Sequence, residues 1–328
     1  MRPASFAAFA PFALFACAAS AQTPGPPKLG FPLRCEIGKT CEVQHYVDRD
    51  PAGGMVDYHC GKRTEPKHNA IDIRLIDMAQ QKRGVDVLAA AAGKVLAVRD
   101  GVADNVPGQP LPKTGQCGNR VAIDHGGNWI TDYCHLEKGS LKVKAGDVVE
   151  AGQPIGQVGM SGGTEFPHLH MSLQHGNTFV DPFAPNPGAN PSCGAHDVMW
   201  TPAAMRQLAY KRGAVLLAGL SGQRVGTPET EAGNVPRFTA SAPLLVLYTR
   251  VIGLEPGDQI ELVITGPGGK VVADQRAAPL PRYRDQTDVS LAHARPPTGW
   301  EKGAYGGVVK VWREGKLALE KTLAPTAI

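Results

Sequence analysis

His68-Asn69-Ala70-Ile71-Asp72-Ile73-Arg74-Leu75 is the stretch on which the fold turns. Ile71, Ile73 and Leu75 fall on every second residue, with Asp72 and Arg74 between them. That is the period of a strand with one buried face. A helix would also put His68 and Asp72 on one face, but the two-residue apolar period decides for the strand. Asp72 then sits on the strand opposite the apolar set, and His68 on the loop entering it. About a hundred residues later, His168-Leu169-His170 places two imidazoles on the same side of a second strand. One carboxylate and three imidazoles match a hydrolytic zinc site, which takes three such ligands and leaves a place for water. A spare histidine remains for proton transfer. Ten histidines in 328 residues also produce His-x-His by chance, so spacing alone leaves both readings open.

Working outward, the β pattern persists. Val85–Ala92 is a short apolar run, and Gly93 starts another through Val98. Asn119–Asp124 and Trp129–His135 read as hairpin arms around His125-Gly126-Gly127-Asn128. Val143–Gly156 is a chain of tight turns between tiny strands, and His168–Gln174 is a final strand. Gly (39) and Pro (28) make up about a fifth of the chain, which suits turn-rich β structure and not helices. The expected fold is all-β: an antiparallel β domain over 60–190, closed by Pro185, Pro187 and Pro191. Before it, 22–59 reads as an N-terminal extension, proline-rich to 34 and with little periodicity over 35–66. A connecting segment over 191–235 should hold one short helix, with Thr201 as N-cap and Pro202 at its first position, ending by Gly213. Residues 236–328 read as a second β unit. Ile260, Leu262 and Ile264 alternate, Gly266-Pro267-Gly268-Gly269 turns the chain, and Glu314-Gly315 joins two arms of a hairpin. Short strands with regular turns suggest an immunoglobulin-like sandwich. No cluster of chemical residues falls there, so its expected role is structural or binding, with no partner named.

Residues 1–21 read as a secretory leader, with Arg2 as its only charge, an apolar run from Phe6 to Ala16 and small residues at Ala19-Ser20-Ala21. The run is too short to span a bilayer, and no transmembrane segment is expected after it. Leu14-Phe15-Ala16-Cys17 offers lipoprotein processing as an alternative, but Phe15 fits that pattern poorly. The six remaining cysteines form an even set, which in an exported chain favours disulfides. Fifteen pairings are possible. Cys117 and Cys134 flank the hairpin turn and should lie nearly opposite each other. Cys35 and Cys41 could staple a small loop, leaving Cys60 with Cys193. The lack of any Cys-x-x-Cys pair argues against a cysteine zinc site. A net charge of +4, or +3 without Arg2, is too weak to indicate nucleic acid.

Taken in order, His68-x-x-x-Asp72, Tyr133-Cys134-His135-Leu136, the turn-rich stretch, Ser161-Gly162-Gly163 and His168-Leu169-His170 resemble the lysostaphin/LytM-type zinc metallopeptidases. The resemblance covers roughly 60–185. It implies one Zn²⁺ held by His68, Asp72 and His170, with His135 and His168 serving catalysis. The family usually has glycine where Ala70 stands, and the added methyl is expected to narrow the cleft. Relatives that only activate other hydrolases lose zinc ligands, whereas all three positions are kept here. The resemblance also implies the substrate, the peptide of peptidoglycan. His168 is the preferred general base and His135 the oxyanion stabiliser or proton donor, with the two roles exchangeable.

Several other readings stay open. The cleft could bind cell-wall peptide or a partner amidase without cutting, or cut proteins and not wall. Val143–Gly156 also resembles lipoyl and biotinyl carriers, but no lysine at a hairpin tip beside methionine is present. Ser161-Gly162-Gly163 lacks the nucleophile-elbow pattern and reads as a loop at the cleft wall. His45, His59, His125, His175, His196 and His293 have no partner pattern and read as surface or structural.

Overall fold

A computed structural model of the protein describes residues 25–186 and 192–328. The leader expected at 1–21, its alternative processing site at Cys17, and Pro187 and Pro191 of the expected boundary lie outside the described residues. Strand predominates, and the α-helices among the described residues are α1 (Met78–Lys82), α2 (Pro202–Gln207) and α3 (Thr227–Ala232). The all-β expectation holds. No helix among the described residues is long and apolar enough to cross a membrane.

The first unit is built from β1 (Cys41–His45), β2 (Ala70–Leu75), β3 (Asp86–Leu88), β4 (Gly93–Arg99), β5 (Asn119–Asp124), β6 (Trp129–Leu136), β7 (Val148–Val149), β8 (Pro154–Gln157), β9 (His168–His175) and β10 (Thr178–Phe179). The main sheet runs β1-β2-β9-β6-β5-β4-β7, with β10 beside β9, and β3 pairs with β8 as a separate ribbon. Every pairing in both is antiparallel. Asp72 faces His170 across β2 and β9, and His170 faces Cys134 across β9 and β6. His45 of β1 continues that rung on the far side of Asp72. The intervening residues Ile71, Ile73, Leu169, Met171 and Tyr133 share one buried core with Val87 of β3 and Ile155 of β8. Burying each large apolar side chain contributes roughly 1.5–3 kcal/mol. A one-residue slip would put the polar rung into the apolar core in place of that set, so the core fixes which residues share the polar face.

Two departures from the expected organisation stand out. The segment expected as an unpatterned extension supplies β1, whose five residues are all buried. The sheet therefore begins at 41, ahead of the boundary expected at 60. Helix α1 has no counterpart among the expected elements; the Asp77 carboxylate caps it by accepting from the Gln80 N–H.

All three expected disulfides form: Cys35–Cys41, Cys60–Cys193 and Cys117–Cys134. The hairpin turn is also in place, with Gly126, Gly127 and Asn128 at positive φ. The register behind the Cys117–Cys134 expectation nevertheless needs correcting. Pairing runs from Asp124↔Ile130 to Val121↔Tyr133, then shifts by one so that Asn119 faces Leu136. Cys117 lies beyond the end of β5 and reaches Cys134 across this bulge, not from directly opposite. Bulges re-aim side chains and add local twist, and this one adjoins His135.

Thr201 caps α2 through its side chain, with Pro202 at the first helical position, as expected. The second unit starts earlier than 236. It comprises β11 (Ala214–Ser221), β12 (Leu244–Leu254), β13 (Gln259–Thr265), β14 (Val271–Arg276), β15 (Arg284–Ala294), β16 (Ala304–Arg313), β17 (Lys316–Thr322) and β18 (Thr326–Ala327). One sheet is ordered β11-β12-β15 and the other β14-β13-β16-β17, with β18 on β16. Leu245, Leu247 and Val251 of the first share a core with Ile260, Leu262, Ile264 and Val309 of the second. Arg313 pairs with Lys316 around Glu314 and Gly315, both at positive φ, as a two-residue hairpin requires.

The two units are bolted together by buried charge. Glu231 of α3 receives Arg74 of β2 and Arg250 of β12, and Arg250 also pairs with Asp288 of β15. Next to this network Arg74 Nη1 donates to Gln286 Oε1 at 2.9 Å. The second unit thus grips the strand that carries Asp72.

Candidate active site

The five expected site residues converge on one face of the main sheet. His68 Nε2 lies 3.0 Å from Asp72 Oδ2, and His170 Nδ1 lies 2.9 Å from Asp72 Oδ1. His168 Nε2 stands 3.6 Å from Asp72 Oδ1, and the rings of His135 and His168 are 4.6 Å apart. Donors around a tetrahedral zinc at 2.0–2.2 Å sit about 3.4 Å from one another, and Asp72 lies at about that distance from both His68 and His170. Among the described residues, the imidazole and carboxylate groups close enough together to hold one ion are His135 with His168 and His170, and His45 with His68 and Asp72.

The hydrogen bonds assign the ring nitrogens. His68 Nδ1 donates to the Tyr46 carbonyl at 2.9 Å, which leaves Nε2 with a lone pair. That Nε2 is buried and makes no hydrogen bond, although it faces a carboxylate. A lone pair facing an anion is repulsive unless a cation stands between them, so the residues present fit a metal. Burial disfavours ionised Asp72, yet the imidazoles around it, His68 foremost, hold its carboxyl well below the usual range. Burial lowers and Asp72 raises the His68 pKa, the net direction being upward; a cation at this point would satisfy the same attraction.

His135 and His168 are held differently. His135 Nδ1 donates to the Ser161 carbonyl at 2.7 Å, and His168 Nδ1 lies 3.1 Å from the Phe166 carbonyl and 3.0 Å from Thr164 Oγ1. Each therefore turns an acceptor Nε2 inward. Burial is the main reason both are kept neutral, His135 lowered to about 4 and His168 well below its ordinary value. His135 sits at φ 61°, in a region where a residue with a Cβ is strained, and its N–H is held by the Cys117 carbonyl at 2.8 Å. The disulfide and the bulge thus position this histidine.

Ser161 does not line the cleft as expected. It is fully buried, its Oγ donating to Leu136 O and accepting from Asn119 N, while its carbonyl aims His135. Gly162 explains the following glycine: a Cβ there would lie 2.2 Å from the Gln116 carbonyl. The wall itself is made by Gly163–Phe166. The cleft holds about 670 Å³, with Arg120 and Asp132, paired at 2.9 Å, on its floor near His170. Ala70 is buried and is not among the lining residues, so its methyl does not narrow the cleft.

His45, expected as a surface or structural histidine, stands instead at the edge of the site. It is buried beside Asp72, with Nδ1 3.0 Å from Asp72 Oδ2 and Nε2 3.0 Å from Asp285 Oδ1 of the second unit. Burial would lower its pKa, but Asp285 and Asp72 together hold it up at about 10. The alternation in Cys41-Glu42-Val43-Gln44-His45 is a sequence signal for this strand. Nothing local could supply Asp285. The other five histidines without a partner pattern do not line the cleft. Cys117, Asp132 and Cys134 also cluster closely enough for a metal, but the cysteines are joined as a disulfide and offer no thiolate.

Comparison with known proteins agrees with the motifs. Residues 67–182 match the model of Peptidase family M23. The chain is 32% identical over 106 residues to the cell division protein DipM of Caulobacter vibrioides, covering 32% of this chain and 16% of that one. It is 36% identical over 91 residues to the peptidoglycan DD-endopeptidase ShyC of Vibrio cholerae, covering 28% and 19%. Among solved structures, a zinc containing peptidase from Vibrio cholerae is 25% identical with a TM-score of 0.28, covering 44% of this chain and 39% of that one. This chain thus spans less than a fifth of the length of either named relative. The stretch that matches Peptidase family M23, residues 67–182, contains all five expected site residues.

Proposed function

We propose that this chain is an exported zinc-dependent endopeptidase that hydrolyses peptide bonds of peptidoglycan. The observation that carries the reading is the convergence of three metal-type donors, one of them an orphaned lone pair, beside two neutral imidazoles facing the same cleft. His68, Asp72 and His170 hold the metal. Bound zinc would supply Lewis acidity, bringing the pKa of water towards about 7 and polarising the scissile carbonyl. His168 Nε2, the nearer of the two spare acceptors to Asp72, takes the proton of the attacking water. That proton then goes to the leaving amine, relayed by His135: its fixed Nδ1–H···O=C bond leaves Nε2 to accept the proton from His168 and hand it on. Arg120 and Asp132 present fixed charge to the substrate.

The substrate class rests on the resemblance and on relatives named as peptidoglycan endopeptidases. Export rests on the leader read at 1–21 and on a three-disulfide framework. The division into a catalytic unit, a connecting segment and an immunoglobulin-like C-terminal unit is part of the same proposal, supported by the two-sheet order of the last unit. Metal analysis of the purified protein, with mass analysis of fragments released from cell-wall sacculi, tests it. One zinc per chain and new amine termini in wall peptides, both abolished by a chelator, are expected. Cleavage of casein with intact sacculi would move the substrate to proteins. Binding to sacculi without cleavage would make the cleft a binding module.

A further inference from the structure

The main-sheet rung does not stop at the metal-type donors. From Asp72 it continues through His45 to Asp285, a residue of β15 in the second unit. His45 spans the two carboxylates with both ring nitrogens, each at 3.0 Å, and its side chain is only 3% exposed. Asp285 is fixed in turn by Gln44, whose Nε2 donates to Oδ2 at 2.8 Å. Glu65 approaches the same His45 nitrogen, but at 3.9 Å it lies outside hydrogen-bond range. A carboxylate ligand has two oxygens and a free torsion; a neighbour that holds one oxygen fixes where the other points. Outer partners of this kind typically change metal affinity by about 10–100-fold when removed.

We propose that Asp285 and His45 are positioning residues for the metal site, so that the second unit sets the metal affinity of the first. The proposal rests on the zinc reading above. Through it the C-terminal unit acquires a role, completing the support of Asp72 from outside the family match, which ends at 182. Undocking of β15 would release Asp285 from His45 and leave Asp72 free to rotate away from His68 and His170.

The test is zinc affinity of the full chain, measured by competition with a chromophoric chelator. Asp285→Ala and His45→Gln should each weaken zinc binding by roughly 10-fold or more. The double variant should be no weaker than His45→Gln alone, because Asp285 acts through that ring. Gln286→Ala removes a neighbouring contact between the units, that of Arg74 Nη1 with Gln286 Oε1, without touching His45; it should leave zinc affinity unchanged. Unchanged affinity in Asp285→Ala would overturn the proposal, as would additive losses in the double variant or an equal loss in Gln286→Ala. Thermal melts of the zinc-free proteins identify a variant that fails to fold, in which case Asp285→Asn, of nearly the same size, replaces it. A wild-type chain that binds no zinc would instead refute the zinc reading itself.

Discussion

Glu231→Gln is the perturbation that most directly weighs the joint between the two units. Glu231 is 4% exposed and lies between two guanidiniums, Arg74 and Arg250, whose side chains are fully buried. The glutamine keeps the shape and removes the charge. Arg250 retains Asp288, at 2.8 Å, so its loss is partial. Arg74 retains only neutral partners: Gln286, the Leu75 carbonyl and the Phe166 ring, 4.1 Å from its guanidinium carbon. Removing one partner of a buried pair leaves an uncompensated charge and costs about 3–5 kcal/mol. With Arg250 still paired, the lower end, about 3 kcal/mol, is expected. Urea unfolding of the zinc-free wild type and variant measures it. Replacing the Arg74–Glu231 pair by Met and Leu should recover most of that loss, because apolar groups of similar volume need no charge compensation. A change below about 1 kcal/mol in Glu231→Gln would refute the reasoning, since it would mean water reaches Arg74 when the carboxylate goes.

Other outcomes follow from single residues. His170→Ala should abolish zinc binding, whereas His168→Ala and His135→Ala should retain zinc and lower turnover by about 10²–10⁴-fold; metal analysis of the variants separates the two classes. Burial raises the Asp181 carboxyl to about 6, and one of its oxygens has no partner. A raised folded pKa contributes stability that is complete below the unfolded value near 4 and lost as pH rises through 6. Asp181→Asn should therefore stabilise the protein by up to about 3 kcal/mol at pH 8 and by little at pH 4, as read from melts across that range. Replacing Cys117 and Cys134 together by serine should cost about 3 kcal/mol for a separation of 17 residues. The same change should lower turnover, because the Cys117 carbonyl holds the His135 N–H.

How much of this can be read from the chain depends on the range of the cause. Alternation in Ile71–Leu75 sets the apolar face of β2, and the same face logic puts His168 and His170 together on β9. Both follow from a period of two, which is a local property of extended backbone. The turns at Gly126-Gly127 and Glu314-Gly315 are legible because positive φ is written in the residue types that tolerate it. The pairing Cys117–Cys134 is also within reach, but through a register that the bulge between Asn119 and Val121 alters. A bulge shifts the pairing by one residue without changing the composition of either strand, so counting back from the turn cannot detect it.

What the sequence hides has a different origin. β1 carries the alternation Cys41-Glu42-Val43-Gln44 over too few residues to stand out, and it is buried on both faces. Its polar residues meet partners from distant segments, Lys211 for Glu42 and Asp285 for Gln44 and His45. A strand whose polar side is covered by another unit keeps the hydrophobic-in, polar-out pattern, so nothing in its own residues marks that side as buried. The same covering turns His45 from an isolated histidine in the sequence into a bridge between two carboxylates 213 positions apart in the chain. Neither Asp72 nor Asp285 carries a local mark of that relation, since the hydrogen bonds exist only once the two cores have formed and docked. The candidate site face is therefore legible as a set of residue types on strands. Its support is not, because that support is a property of the interface between units that the sequence describes only separately.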